Sequence, residues 1–265
     1  MNNVYTHGHH ESVLRSHSWR TAENSAGYLL PRLRPGQSLL DIGAGPGTIT
    51  ADLARLVQPG RTTALEANED ALDITRATFA KLDLSIDFIV GDVHHLDLPD
   101  DSFDVVHAHQ VLQHVADPVQ ALREMRRVCK PGGIVAARDS DYQAFAWFPE
   151  LPELTEWMTL YQRLARANGG EPDAGRRLLS WARQAGFTDV AASASVWCFA
   201  PPEDRAWWTG MWAERIVASS IADQAVGFGL TTRDELTEIA QAWQRLGAAD
   251  DGWFIVPHGE ILCRA

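Results

Sequence analysis

The chain has 265 residues, 45% of them hydrophobic and 22% charged, which is enough to bury one large core and excludes a low-complexity or repeat protein. Its formal net charge of -12 repels phosphate backbones and anionic headgroups, which argues against nucleic-acid and membrane partners and for a small-molecule substrate. Cys129, Cys198 and Cys263 stand without metal-type spacing, the polar start MNNVYTHGHHE lacks a signal core, and no apolar run approaches the roughly 20 residues of a membrane span, so a reducing, cytoplasmic setting is expected.

At the amino terminus His7, His9, His10 and Glu11 are ligand types that suit zinc or nickel, but no distant Cys or His motif completes a site and no metal is expected. The stretch from Ser18 to Leu30 reads as a helix ended by Pro31 and Pro35-Gly36. Residues 38–43, SLLDIG, then form a short, continuously apolar strand of the kind parallel sheets bury, followed by a glycine turn and a helix from about Thr48 to Leu56. The alternation continues with strands at Thr62–Glu66, Ile86–Val90, Phe103–Ala108 and Gly133–Arg138, and with helices at Glu69–Lys81 and Pro118–Cys129. This rhythm predicts right-handed βαβ crossovers and a parallel sheet with helices on both faces. Within the last helix and just after it, Arg123, Arg126, Arg127 and Lys130 make either a solvated face or a local basic dock.

Beyond Arg138 the rhythm gives way to helix-rich sequence at Pro149–Ala167 and Asp204–Gly247, separated by Arg176–Phe187 and a strand candidate at Val190–Phe199. Trp253 to Cys263 closes the chain as a strand or hairpin. The ten tryptophans gather largely in this half. Trp147, Trp157, Trp207, Trp208 and Trp212 would line a roof over an aromatic substrate, or fill a helix–helix core.

The strongest motif is DIGAGPGT, residues 41–48. Gly43, Gly45 and Gly47 allow a sharp turn and close approach of the backbone to a flat nucleoside, with Ala44 between them. A dinucleotide fingerprint would carry its third glycine at position 48, where this chain has Thr48, so a nicotinamide-dependent oxidoreductase is the weaker alternative. Asp41 suits an ammonium or a water network beside the loop, or a plain turn carboxylate. Glu66 ends the second strand, 23 positions after Gly43 (66 minus 43), and can accept both hydroxyls of a ribose, with Ala67 beside it. Asp92 after the third strand can accept an adenine amino group while the Val93 amide meets a ring nitrogen.

Together DIGAGPGTIT, LEAN, GDVHHLDLPDDSFDVV and VLQHVADPVQALREMRRVCKPGG resemble the class I S-adenosylmethionine-dependent methyltransferases, in particular those similar to ubiquinone and menaquinone biosynthesis C-methyltransferases. The resemblance covers about Ser38 to Asp139 and fades outside. It implies a Rossmann-like three-layer α/β/α sandwich with a seven-stranded, mostly parallel sheet of order 3-2-1-4-5-7-6, strand seven antiparallel. It also implies cofactor contacts at Asp41, Gly43, Glu66, Asp92 and Val93, and a loop at Ala108-His109-Gln110-Val111 against the methionine part. S-adenosylhomocysteine would be the product.

On this reading residues 1–265 form a single domain, with 1–30 as a helical lid, 38–139 as the cofactor-binding core, and 140–185 and 203–250 as helical insertions roofing the substrate. The lid, Tyr5 to Arg20, would bring His17, Trp19 and Arg20 onto the cofactor. Methyl transfer is an in-line displacement that needs positioning and, for some acceptors, a base. His109 and His114 after strand four, and Asp139 after strand five, are the candidates; Tyr142 and Trp147 are candidate substrate contacts. The acceptor would be aromatic, quinone-like or a secondary metabolite, and the protein a monomer or homodimer. A cofactor-binding module without catalysis is the remaining alternative.

Overall fold

The computed structural model describes His17 and residues 19–265. The expected lid over 1–30 therefore lies in part outside the described residues, as do His7, His9, His10 and Glu11. Two compact units can be separated. The core unit comprises His17–Asp139, Ala174–Ser195 and His258–Ala265; the helical unit includes Ser140–Asp173 and Val196–Pro257.

The core unit opens with α1 (Ala22–Ala26), where Thr21 and Asn24 form a reciprocal capping box. A single turn at Leu30–Arg32 follows, so the helix expected over 18–30 is broken into two short pieces. Then come β1 (Leu39–Ile42), α2 (Thr48–Val57), β2 (Thr62–Glu66), α3 (Glu69–Leu82), β3 (Asp87–Val90), β4 (Phe103–His109), α4 (Pro118–Val128) and β5 (Cys129–Ser140). α6 (Leu178–Gln184) and the first part of β7 (Val190–Phe199) also belong to this unit, as does the end of β8 (Trp253–Arg264). Strands β1, β2, β3, β4 and β5 pair in parallel. The sheet order is β3-β2-β1-β4-β5-β8, with β7 also on β8; counting along the chain without β6, this is the expected 3-2-1-4-5-7-6.

Alternation along the strands divides the core. Leu39, Val105, Ile134 and Ala136 pack with Ala22 and Ala26 of α1 and Ile49, Leu53 and Val57 of α2. Their neighbours Leu40, Val106, Val135 and Ala137 pack with Leu122 and Met125 of α4 and Leu178 and Ala182 of α6. Successive side chains on a strand point to opposite faces, and both faces are apolar here because helices cover both.

The helical unit holds β6 (Ala146–Phe148), α5 (Pro152–Ala167), α7 (Pro202–Ala218), α8 (Ser220–Gly227) and α9 (Arg233–Ala248). The long helix expected over 204–247 is interrupted where Ser219 and Thr232 cap new helices. β6 is an eighth strand that the sequence did not announce; it pairs antiparallel with Trp253–Ile255. Trp157 packs edge-on against Trp212 and Trp243, both at 4.8 Å between ring centres, and Trp208 stacks on Phe199 at 4.2 Å. Trp157, Trp208, Trp212 and Trp243 are buried, so these rings build the unit's core, whereas Trp147 and Trp207 stay partly exposed. Among the described residues no helix is long and apolar enough to cross a membrane.

Candidate active site

The site starts where β1 ends. Gly43, Gly45 and Gly47 all take positive φ (68°, 56° and 79°), which L side chains adopt only with strain. The three serve different ends. A Cβ on Gly43 would stand 2.4 Å from Val111 Cγ2, and one on Gly47 would stand 2.8 Å from Thr75 Cγ2, so these glycines let the loop pack on its neighbours. Gly45 faces open space within 4 Å, and this is the side a ligand can approach. The Thr75 hydroxyl donates to the Gly45 carbonyl at 2.6 Å, and the Gly47 amide donates to Ala44 O at 2.9 Å.

Asp41 is buried in the sheet. Its Oδ2 accepts the Thr50 hydroxyl at 2.5 Å and its Oδ1 lies 2.7 Å from His107 Nδ1. Both oxygens therefore tie β1 to α2 and β4, and the carboxylate acts on the loop through the backbone it anchors. Glu66 ends β2 half-buried, with Oε1 2.5 Å from the Gly45 amide and Oε2 3.4 Å from the Ala67 amide. A carboxylate at the rim of an open glycine loop has the chemistry that a ribose diol requires. Asp92 is exposed; the His94 amide donates to it, which is the main reason its carboxyl lies below the ordinary carboxylate range, and the His94 ring adds a contact at 2.6 Å. The Val93 side chain is buried in the core.

The carboxyl ends of β4 and β5 bring the remaining candidates together. His109 is buried, and loss of solvation, reinforced by the charges of Arg138 and Arg20, holds its imidazole well below its usual pKa. Its ring stacks on His258 at 6.2 Å. Gln110 follows at φ 54°, a left-handed conformation uncommon for this residue and typical of functional loops; its amide donates to Arg138 O at 2.7 Å and its side chain meets His258 Nε2 at 2.9 Å. His114, beside Gln113, is pushed down to about 3 by desolvation, with Arg20 adding to the effect. Arg20 thus projects its charge onto both histidines. His17 lies nearby along the chain, and its carbonyl accepts the Arg20 amide at 3.1 Å.

Asp139 is fully buried at the end of β5. Its Oδ1 accepts the Gln113 amide at 3.0 Å, while Oδ2 has no hydrogen-bond partner among the described residues. Burial raises its pKa to about 7, against the opposing pull of the Gln113 amide and Arg138. An unsatisfied buried carboxylate oxygen is costly unless a ligand or proton completes it.

Several residues of this region escaped the sequence reading. His107 is visible only through the parallel register that sets it beside Asp41. Arg138 lies 3.3 Å from Glu260, which accepts the hydroxyls of Ser193 at 2.7 Å and Ser195 at 2.5 Å. This network spans β5, β8 and β7, and its partners are too distant in sequence for spacing to reveal. In the helical unit, Tyr142 is buried between Phe145 (4.5 Å) and Tyr161 (4.0 Å). Trp147 lines a cavity of about 740 Å³ that also contains Phe145, Glu150 and Glu156.

The Methyltransferase domain family matches residues 40–137. An uncharacterized methyltransferase of Schizosaccharomyces pombe is 34% identical over 97% of this chain and 95% of its own. A ubiquinone/menaquinone biosynthesis C-methyltransferase of Vibrio campbellii is 34% identical over 59% of this chain and 66% of its own. The solved structure of a SAM dependent methyltransferase from Aquifex aeolicus superposes with a TM-score of 0.53 at 18% identity, covering 69% of this chain and 90% of that one.

Proposed function

The chain belongs to the S-adenosylmethionine-dependent methyltransferases, and from that premise we propose that its acceptor is a small molecule whose reacting hydroxyl or activated carbon loses a proton to Asp139. The carrying observation is the buried Oδ2 of Asp139, left without a partner on a carboxyl that titrates at about 7. A general base works best when its pKa lies near the operating pH. When bound, S-adenosylmethionine would supply a methyl group already activated by its sulfonium, with S-adenosylhomocysteine as the leaving product.

The chain's own residues do the rest. Gly45 would give the nucleoside an open backbone to lie on, Glu66 would accept its ribose hydroxyls, and Asp92 with the Val93 amide would read the adenine edge. Arg20 would pair with the carboxylate of the amino acid end, and Gln110 is fixed by Arg138 and His258. His109 and His114, kept uncharged by burial, add no cation of their own at this end of the sheet. Asp139 Oδ2 would take the proton of the acceptor's hydroxyl or activated carbon, leaving the bonding pair on the acceptor as its nucleophilic pair, and would pass that proton to solvent after product release. The net charge of -12 favours neutral or cationic acceptors over anionic ones.

Turnover of a labelled methyl donor against a panel of phenols, quinols, amines and carbon acids tests the reading. Expected is transfer to a hydroxyl or activated carbon, with Asp139→Asn losing about 10²- to 10⁴-fold in kcat while keeping S-adenosylhomocysteine affinity. Full activity in Asp139→Asn, or transfer only to protein or RNA, overturns it.

A further inference from the structure

A second cavity, of about 290 Å³, opens at the amino-terminal edge of the core sheet and is lined by Arg32, Arg34, Gln37, Asp104, Lys130 and Arg264, among others. Arg32 and Arg34 precede β1, Asp104 and Lys130 stand near the starts of β4 and β5, and Arg264 closes β8. The glycine loop lies past the other end of β1, a strand length of roughly 13 Å away. Four cations meet here in a chain whose formal charge is -12.

Their existing bonds decide what remains. Asp104 Oδ2 accepts the Ser38 amide at 2.8 Å, the Ser38 hydroxyl at 2.6 Å and Lys130 Nζ at 2.9 Å, so the one carboxylate among these six residues is matched to the one lysine. Three arginines are left over. Arg34 spends Nη1 on the carbonyls of Pro31 (2.9 Å) and Leu33 (2.6 Å), and Arg264 spends Nη1 on Gly132 O at 3.0 Å. Each is thereby fixed by one nitrogen, with further N–H groups to offer. Arg32 shows no side-chain hydrogen bond or ion pair among the described residues. The Gln37 side-chain oxygen accepts the Arg34 amide at 2.6 Å, which leaves its NH₂ group as a further donor.

We propose that this cavity binds a soluble phosphate-bearing small molecule, held by the guanidinium groups of Arg32, Arg34 and Arg264. Planar guanidinium forks match phosphate oxygens in pairs. Three of them supply more donors than the two oxygens of one carboxylate can accept, whereas a diphosphate satisfies them. Holding three unmatched cations around one small space costs repulsion that a bound polyanion removes. The proposal stands apart from the methyl-transfer reading, because neither the cavity nor its donors belong to the glycine loop or to Asp139.

Calorimetric titration of the intact chain with inorganic pyrophosphate at fixed ionic strength tests it. Saturable binding with one site per chain is expected, at least about tenfold tighter than sulfate and unchanged by saturating S-adenosylhomocysteine. Arg32→Ala/Arg264→Ala is expected to weaken binding about tenfold or more. Arg32→Lys/Arg264→Lys, which keeps the charge and removes the forks, falls between that variant and the parent. No heat up to about 5 mM pyrophosphate, equal affinity in the alanine double variant at an unchanged melting temperature, competition with S-adenosylhomocysteine, or binding only to phosphatidic acid vesicles would each overturn the assignment.

Discussion

His107 Nδ1 lies 2.7 Å from Asp41 Oδ1, and the parallel pairing of β1 with β4 sets the two residues side by side. Asp41 begins the glycine motif, so this buried pair fixes where the loop leaves the sheet. His107→Leu leaves a buried carboxylate with Thr50 alone and is expected to cost about 1–3 kcal/mol of stability, read from urea unfolding. S-adenosylhomocysteine affinity is expected to fall in the same variant, and Thr50→Val to show a smaller loss of both.

Asp139 sets a pH dependence of known sign. Its pKa of about 7 in the folded protein lies above the roughly 3.9 of an unfolded chain, so folded Asp139 holds its proton longer. The associated stability is fully present below about pH 4 and is lost as pH rises through about 7. Asp139→Asn is therefore expected to gain stability relative to the parent between pH 5 and 8, seen in melting temperatures across that range. With Asp139 as the proposed base, activity runs the other way: the base must be ionised, so kcat of the parent is expected to rise through about pH 7, and the residual rate of the variant to lack that limb.

Gly43 and Gly45 separate folding from ligand binding. Gly43→Ala drives a methyl group to 2.4 Å from Val111 Cγ2 at positive φ and is expected to cost about 2–4 kcal/mol. Gly45→Ala meets nothing within 4 Å, so only the φ penalty of about 1–2 kcal/mol applies. Its methyl would stand on the open side of the loop, where the nucleoside is proposed to lie. Unfolding curves should therefore rank Gly43→Ala as the worse folder, and calorimetry should show cofactor affinity in Gly45→Ala reduced by much more than its stability.

Trp243 is buried against Trp157, Trp212 and Phe254. Trp243→Ala is expected to cost about 3–5 kcal/mol, whereas Trp207→Ala, at a partly exposed ring, costs about 1 kcal/mol or less. Thermal unfolding followed by tryptophan fluorescence distinguishes them.

What could be read from the sequence was what is local. The glycine triad, the acids closing β2 and following β3, and the alternation of short apolar runs with helices each sit within a few residues, and the observed sheet order agrees with the resemblance they support. β6 was hidden because its three residues gain strand character only by pairing with Trp253–Ile255, near the other end of the chain. β5 begins four residues before the expected Gly133 because Cys129 pairs with Phe103 across a register shift, while Pro131-Gly132-Gly133 reads as a break. Aromatic composition alone could not divide the tryptophans between roof and core; the partition came from which ring faces another ring. The partnerships of His107, Arg138 and His258 are tertiary throughout, which is why a residue-by-residue reading singled out His109 and Asp139 as candidates but not the groups that hold their surroundings.

The ion pair between Arg138 and Glu260 also carries a consequence for biosynthesis. The guanidinium lies 1% exposed, and its carboxylate is made 122 residues later (260 minus 138), after the whole helical unit has been translated. Until then Arg138 lacks the carboxylate that β8 brings, and Gln110 lacks His258. A growing chain therefore cannot complete the surroundings of Gln110 and Arg138 strand by strand as they emerge from the ribosome; it waits for β8, and a translation product released before that strand would present the unfinished sheet edge to chaperones and proteases.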